Sequence, residues 1–333
     1  MKAFNMCNEL KKLSKNYSWL KDVDCCSLMC AIFNLEDAYK NYFAKRSSFS
    51  AFKNRFNRQT YRTNYIRSSY KGYQYSNIEI NLERKKIKLP KLGIIKIRGY
   101  RNLNKIDGRV INATVIREKT GKYYVSVVVD EKKNVKEKIN PTSIVGIDLG
   151  VNDLVVTSSG EKYSNNREIE KREKRLKRLQ RKLARQKAGS NNYNKTKTKI
   201  AIVHSKIKNA RKHNIINIVN KIVEENDIIV SGKLKVKEMS KNHTLAKSIL
   251  DASFNKICEL IKWKAKEKGK YYYQVDTYFP SSKKCSHCKE LTSATNNLSI
   301  RVWECEKCGN TNDRDINASI NIMFEGINLH YQY

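Results

Sequence analysis

Two Cys-x-x-Cys pairs, Cys285–Cys288 and Cys305–Cys308, stand sixteen residues apart near the end of a 333-residue chain. Each pair presents two thiolates on one tight turn, and two such turns close a tetrahedral site. The spacing is that of a zinc ribbon, and Gly309 suits the turn after the second pair. A redox dithiol needs only one such pair. With all four positions filled by protein the zinc is structural and not catalytic, and His287 between two ligands is a bystander. The opening MKAFNMCNELKKL lacks an apolar signal-peptide core, and no apolar run approaches the ~20 residues of a membrane span. The expectation is an intracellular protein, cytoplasmic and nucleoid-associated in a prokaryote, with no membrane partner. In that reducing compartment its nine cysteines read as metal ligands or buried thiols.

The charge is equally restrictive. There are 68 Lys and Arg against 32 Asp and Glu, a net +36. Such an excess repels itself unless a polyanion neutralises it, which makes nucleic acid the default partner. The positive charge is clustered. Residues 167 to 187 carry eleven Lys or Arg against three Glu on a helical pattern with an apolar stripe of Ile169, Leu176, Leu179 and Leu183. A Gly-Ser-Asn-Asn break follows, then a second helix with Ile200, Val203, Ile207 and Ala210, so the two read as an antiparallel hairpin. Its Lys171, Arg175, Arg178, Arg181 and Arg185 are candidate phosphate contacts. Residues 44 to 73 interleave Arg and Lys with Phe and Tyr, among them Arg55, Arg58 and Arg62. That pattern fits a nucleic-acid surface or, equally, a solvated connection.

Elsewhere, residues 1 to about 45 read as helical, with Cys25, Cys26 and Cys30 as buried thiols. Alternating segments from 77 to 138 with turns at Gly93, Gly108 and Gly121 read as a small antiparallel barrel or sheet. Strands at 143–149, 153–157, 227–236 and 271–278, helices over about 244–268 and from about 315, place the second half in the α/β class. Two carboxylates stand out. Asp148 lies in the apolar strand IVGIDLG, where a charge needs a compensating cation or donor. Asp315 opens a helix in NDRDINASINI. Brought together, the two would offer oxygen ligands to Mg²⁺; taken singly, each also suits a helix cap or a strand edge.

The segments IVGIDLGVN (144–152), the basic hairpin ending in GSNN, LKVKEMSKN (234–242), FPSSKKCSHC (279–288) and CEKCGNTNDRDINASINI (305–322) resemble the transposon-encoded TnpB family, in order from about residue 10 to 325. The family is related to the single-effector type V CRISPR nucleases. The resemblance implies a multidomain α/β protein: a RuvC-like (RNase H-like) domain with an inserted helical hairpin and a zinc ribbon, preceded by a helical lobe and a small β-barrel. In this chain it implies a shortened helical recognition lobe (1–75), a wedge-type barrel (76–142) and a RuvC-like domain (143–280) with its basic hairpin at 166–222. A zinc ribbon for target nucleic acid (281–311) and a RuvC-like C-terminal helix (312–333) follow. The implied partners are a guide (omega) RNA and a double-stranded DNA target. Asp148 and Asp315 correspond to the outer members of an Asp, Glu, Asp cluster for Mg²⁺, and Cys285, Cys288, Cys305 and Cys308 to the zinc ligands.

Two departures qualify the resemblance. The family strand that supplies the middle Glu reads like IVIEDLKV, whereas this one reads IIVSGKLKV, with Gly232 at the Glu position and Lys233 beside it. No acidic residue lies between Ile228 and Lys237. Some relatives carry the Glu just before the zinc module, where this chain has Tyr278, with Asp276 as a weak substitute. The family's N-terminal opening, which helps read the motif flanking the target, is shortened or missing. The expectation is therefore a guide-RNA-dependent DNA-binding protein that no longer cuts, like the nuclease-dead repressors of the family. The alternatives are an active Mg²⁺-dependent endonuclease using Asp276 or another carboxylate, an RNA-independent zinc-ribbon DNA-binding protein, or a decaying transposon relic.

Overall fold

The apolar segment Ile144–Asp148 forms a central strand, and the second half of the chain is organised around it. In the computed structural model, which describes residues 2–54, 57, 59–70, 73–99, 108–131, 137–234, 236–239, 241, 243–293, 295, 297 and 299–332, the chain divides into units 1–133 and 134–333.

In the first unit, α1 (Ala3–Asn16) and α2 (Cys25–Phe43) precede eight strands: β1 (Gln59–Asn64), β2 (Arg67–Tyr70), β3 (Tyr73–Ser76), β4 (Glu79–Asn81), β5 (Lys86–Leu89), β6 (Gly93–Lys96), β7 (Arg109–Arg117) and β8 (Tyr123–Asp130). Asp24 caps α2 by accepting the Ser27 amide at 3.2 Å. Cys26 and Cys30 are buried, while Cys25 is exposed. The described strands form the antiparallel sheets β1-β7-β8, β2-β3 and β4-β5-β6, and Ile78, Ile87, Leu89 and Ala113 form a core joined by residues of β4, β7 and β8. Residues 59–64, 67–70 and 73–75, expected within a helical lobe, are thus strands. The β-branched and aromatic run QTYRTNYIRSSY favours extended backbone, and β1 pairs with β7 along its whole length.

In the second unit the strands are β9 (Ile144–Asp148), β10 (Asp153–Thr157), β11 (Lys162–Ser164), β12 (Ile228–Gly232) and β13 (Tyr271–Val275), arranged β11-β10-β9-β12-β13. The first three are antiparallel neighbours; β12 runs parallel to both β9 and β13. Parallel pairing requires long crossovers. The first is the hairpin α3 (Glu168–Ala184) and α4 (Asn191–Glu225), and the second is α5 (Val236–Met239), α6 (His243–Ala252) and α7 (Phe254–Glu267). The expected strand 227–236 stops at Gly232, and the expected helix 244–268 breaks at Ser253, whose φ of 55° is left-handed. The hairpin closes through Ile169, Leu176 and Leu179 against Ile200, Val203 and Ile207. Its base is tied to the body by Arg211 of α4, which donates to buried Asp251 of α6.

Ile215, Val219, Ile222 and Val223 of α4 and Phe254, Ile257 and Ile261 of α7 join one core with Val145, Ile147 and Ile229 of the sheet. The opposite face is covered by α8 (Arg314–Gln332), which follows the zinc module and its hairpin β14 (Val302–Glu304) and β15 (Thr311–Asp313). This approach is exceptionally close. A Cβ on Gly146 of β9 would sit 2.0 Å from the Ser319 carbonyl oxygen, and one on Gly326 of α8 would sit 2.2 Å from Val230 Cγ2. At Gly232 the nearest atom to such a Cβ is Ile322 Cδ1 at 3.8 Å, an ordinary contact. Gly146→Ala is therefore expected to lose about 1–3 kcal/mol or more in denaturant unfolding, and Gly232→Ala to stay within about 0.5 kcal/mol. Equal stabilities of the two variants would contradict this packing.

Candidate functional site

Asp148 ends β9 half-buried, where α8 begins. Burial, followed by the neighbouring Asp315 charge, pushes its carboxyl up to about 6, against the opposing pull of the Leu149 amide, Arg314 and Arg301. The structure thus brings together the two carboxylates singled out in the sequence. Asp315 sits in the first turn of α8, and Arg301 Nη1 donates to its Oδ2 at 3.2 Å and to Oδ1 at 3.3 Å. The helix start is fixed by Asp313, whose Oδ1 accepts the amides of Asp315 and Ile316, each at 3.1 Å. Its Oδ2 accepts from Lys162 Nζ of β11 at 2.6 Å. Burial works against the Asp313 charge, but Lys162 and the two amides outweigh it and hold the carboxyl below its usual range.

Gly232 completes the geometry. Ser231 pairs with Ile147, so the next position, Gly232, comes alongside Asp148, and in a parallel pair opposed residues face the same side. That side is the α8 side, since the virtual Cβ of Gly232 points at Ile322. A side chain here would project toward Asp148 and Asp315, and there is none. Lys233, one residue past the end of β12, is exposed, and its amide donates to the Val275 carbonyl at 3.1 Å. The cations that act on Asp148 are Arg314 and Arg301. Asp276 is exposed, and its Oδ1 accepts the Tyr278 amide at 2.9 Å. Among the described residues, the one group of three or more metal-ligating side chains gathered at a point is the four cysteines.

Those cysteines fit zinc. Bonds of ~2.3 Å at tetrahedral angles place sulfurs ~3.8 Å apart. Cys285 and Cys308 Sγ are 3.9 Å apart, Cys288 and Cys305 Sγ 3.6 Å, and all four lie within 4.8 Å of one another. The two turns match: Lys289 N donates to Cys285 O at 3.0 Å and Gly309 N to Cys305 O at 2.8 Å, with φ of 64° and 68°. The amides of Cys308 and Lys307 pull the Cys305 thiol down to about 7, toward the thiolate a metal needs. Asn312 Nδ2 points at Cys285 Sγ at 3.8 Å. Two buried asparagines one turn apart dock the module on α8. Asn317 Oδ1 accepts the Ser286 amide at 2.7 Å, and Asn321 Nδ2 donates to Lys284 O at 2.6 Å. The sequence reading missed Arg301, Asp313, Lys162 and this asparagine pair; the four-residue spacing of Asn317 and Asn321 was the available signal.

On α3, Arg178, Arg181 and Arg185 share a shallow basic surface with Lys174, Lys177 and Lys182. These positions fall on the helix face opposite Leu176 and Leu179 and span about 17 Å. Lys171 instead lies 3.6 Å from Glu168, and Arg175 is exposed on the flank. Arg62 is exposed on β1, while Arg55 and Arg58 lie outside the described residues.

Comparison with known proteins gives a consistent pattern. Residues 124–243 match the OrfB_IS605 family, described as "Probable transposase", and residues 254–322 match the "Cas12f1-like, TNB domain" family. A "Putative RNA-guided DNA endonuclease" of Streptomyces pristinaespiralis is 30% identical over 95% of this chain and 75% of its own length. Its namesake InsQ of Escherichia coli K12 is 32% identical over 92% of this chain and 76% of its own length. A solved Cas12f1-sgRNA-target DNA complex aligns with 90% of this chain and 78% of that one at 17% identity and a TM-score of 0.42. Among the described residues no helix is long and apolar enough to cross a membrane.

Elemental analysis is expected to find about one zinc per chain, lost together with stability in Cys305→Ser; a folded, zinc-free preparation would contradict the assignment. For Asp148 the folded carboxyl titrates above its unfolded value of 3.8, so its favourable contribution is complete below pH ~4 and disappears as pH rises through about 6. In metal-free buffer, Asp148→Asn is therefore expected to raise the melting temperature at pH 7 by about 2–4 °C and to change it little at pH 4. An effect independent of pH would contradict the burial of this charge.

Proposed function

This chain belongs to the TnpB family, and from that premise and the site geometry we propose that it is a guide-RNA-dependent DNA-binding protein that has lost cleavage and acts by occupying its target. The observation that carries the proposal is Gly232: the strand position alongside Asp148 that faces Asp315 has no side chain. Bound divalent metal would supply an activated water and charge stabilisation at the scissile phosphate. Two carboxylates, one of them already held by Arg301, do not fit such a centre.

The rest of the molecule supports the binding half of the reading. The strand order β11-β10-β9-β12-β13, with three antiparallel strands followed by two parallel ones, is the arrangement of an RNase H-like, RuvC-type sheet. We assign 143–280 and 312–333 to that domain, 281–311 to the zinc ribbon, and 1–75 and 76–142 to a recognition lobe and a wedge-type region. The guide RNA and the double-stranded target are the polyanions that would neutralise +36, and the basic face of α3 is a contact surface for their phosphates. Steric occlusion of a promoter needs affinity and base pairing, not metal chemistry.

With its guide, the protein is expected to bind matched duplex DNA in Mg²⁺ and leave it intact. Gly232→Glu alone is expected to restore measurable Mg²⁺-dependent cutting, because the new Cβ meets only an ordinary contact. Guide-dependent cutting by the unmodified protein that disappears in Asp148→Ala would overturn the proposal. Replacing Arg178, Arg181 and Arg185 with Gln is expected to flatten the dependence of log K on log salt by about two to three units if each residue contacts one phosphate. An unchanged slope would remove α3 from the interface.

A further inference from the structure

Between Asp37 and Glu79 the chain carries nine Lys or Arg, eleven Phe or Tyr and no carboxylate. At the start of this stretch the structure holds an assembled group of aromatic rings in solvent. Helix α2 ends in a Schellman turn: Arg46 N donates to Asn41 O at 2.8 Å and Lys45 N to Tyr42 O at 2.9 Å, with Lys45 left-handed at φ 55°. The turn reverses the chain and lays Phe49 edge-on against Tyr42 and Tyr39, with ring centroids 5.3 and 5.7 Å apart. Phe43 packs on the same two tyrosines at 5.4 and 6.3 Å.

These rings are ordered by one another and yet exposed: Phe43 by 76%, Phe49 by 61%, and nearby Phe52 completely. Lys45, Arg46 and Lys53 neighbour them in the chain, exposed and making no ion pair among the described residues. Apolar rings left in water beside unpaired cations call for a partner with flat aromatic faces and negative charge on the same chain. Unpaired nucleobases on a phosphodiester backbone have both. A second copy of this chain has the aromatic faces but would bring its own cations into contact with these.

We infer that the end of α2 and residues 44–53 form a stacking platform for unpaired nucleobases, with the adjacent cations on the phosphates. This rests on the proposed nucleic-acid binding of the whole chain.

The test compares full-length protein binding to a 12-nucleotide oligo(dT), an oligo(U) of the same length and an abasic oligodeoxynucleotide of the same charge. The first two identify whether DNA or RNA is preferred. Oligo(dT) or oligo(U) is expected to bind at least about fivefold more tightly than the abasic strand. In Phe43→Ala/Phe49→Ala that ratio is expected to fall toward one, with abasic affinity and salt slope unchanged. Phe52→Ala, fully exposed, gives a smaller loss in the same direction and keeps the test valid if the double variant unfolds. A base-to-abasic ratio of one in the unmodified protein, or a ratio the variants leave intact, overturns the platform while leaving nucleic-acid binding standing. Failure to bind any of the three strands overturns both. Self-association of the free protein that the Phe variants abolish would show the rings to be a protein interface and also overturn the inference.

Discussion

The contact of α8 with the central strands sets the geometry of everything functional in the second unit. Because Gly146 and Gly326 have no side chains, the helix backbone lies against β9 and β12 at a distance no Cβ would permit. One rigid helix then carries Asp315 at its start toward Asp148, and Asn317 and Asn321 in its next turns toward the zinc module. The module returns the constraint, since Arg301 just before β14 holds Asp315 and its carbonyl accepts the Arg314 amide at 2.8 Å. Zinc binding and carboxylate placement are therefore mechanically linked through β14, β15 and the first turn of α8.

Electrostatics follows from that geometry. Asp148 is pressed into a half-buried position beside another carboxylate, which raises its proton affinity. A centre built for divalent cations would relieve this with metal charge. Here the relief comes from protein cations, Arg301 and Arg314, with Lys162 on Asp313 close by. The two carboxylates are neighbours, and the strand position alongside Asp148, Gly232, carries no side chain.

Much of this was legible in the sequence because it rests on local spacing. The double Cys-x-x-Cys predicts its own cluster, the apolar IVGID predicts a central strand, and the charge run predicts the α3 face, since each needs only neighbours along the chain. The position of Gly232 was legible only by resemblance; its facing of Asp148 depends on the register of β12 with β9, a non-local pairing. The same limit applies at Lys233, which follows the last residue of β12 and is exposed. It also explains Arg301, fourteen residues before its partner Asp315 and brought to it by the β14–β15 hairpin. Residues 59–64 were misplaced because their aromatic and basic residues suit a nucleic-acid surface as well as a strand, and their partner β7 lies some fifty residues on.

The account depends most directly on the carboxylate pair being one ligand short. Titration of Mn²⁺, followed by its electron paramagnetic resonance signal, measures this without requiring cleavage. The account predicts that the unmodified protein binds the ion at this site at least about tenfold more weakly than Gly232→Glu, and that Asp148→Ala removes the difference. Equally tight binding by the unmodified protein, abolished by Asp148→Ala, would show that another carboxylate completes the centre and would contradict it.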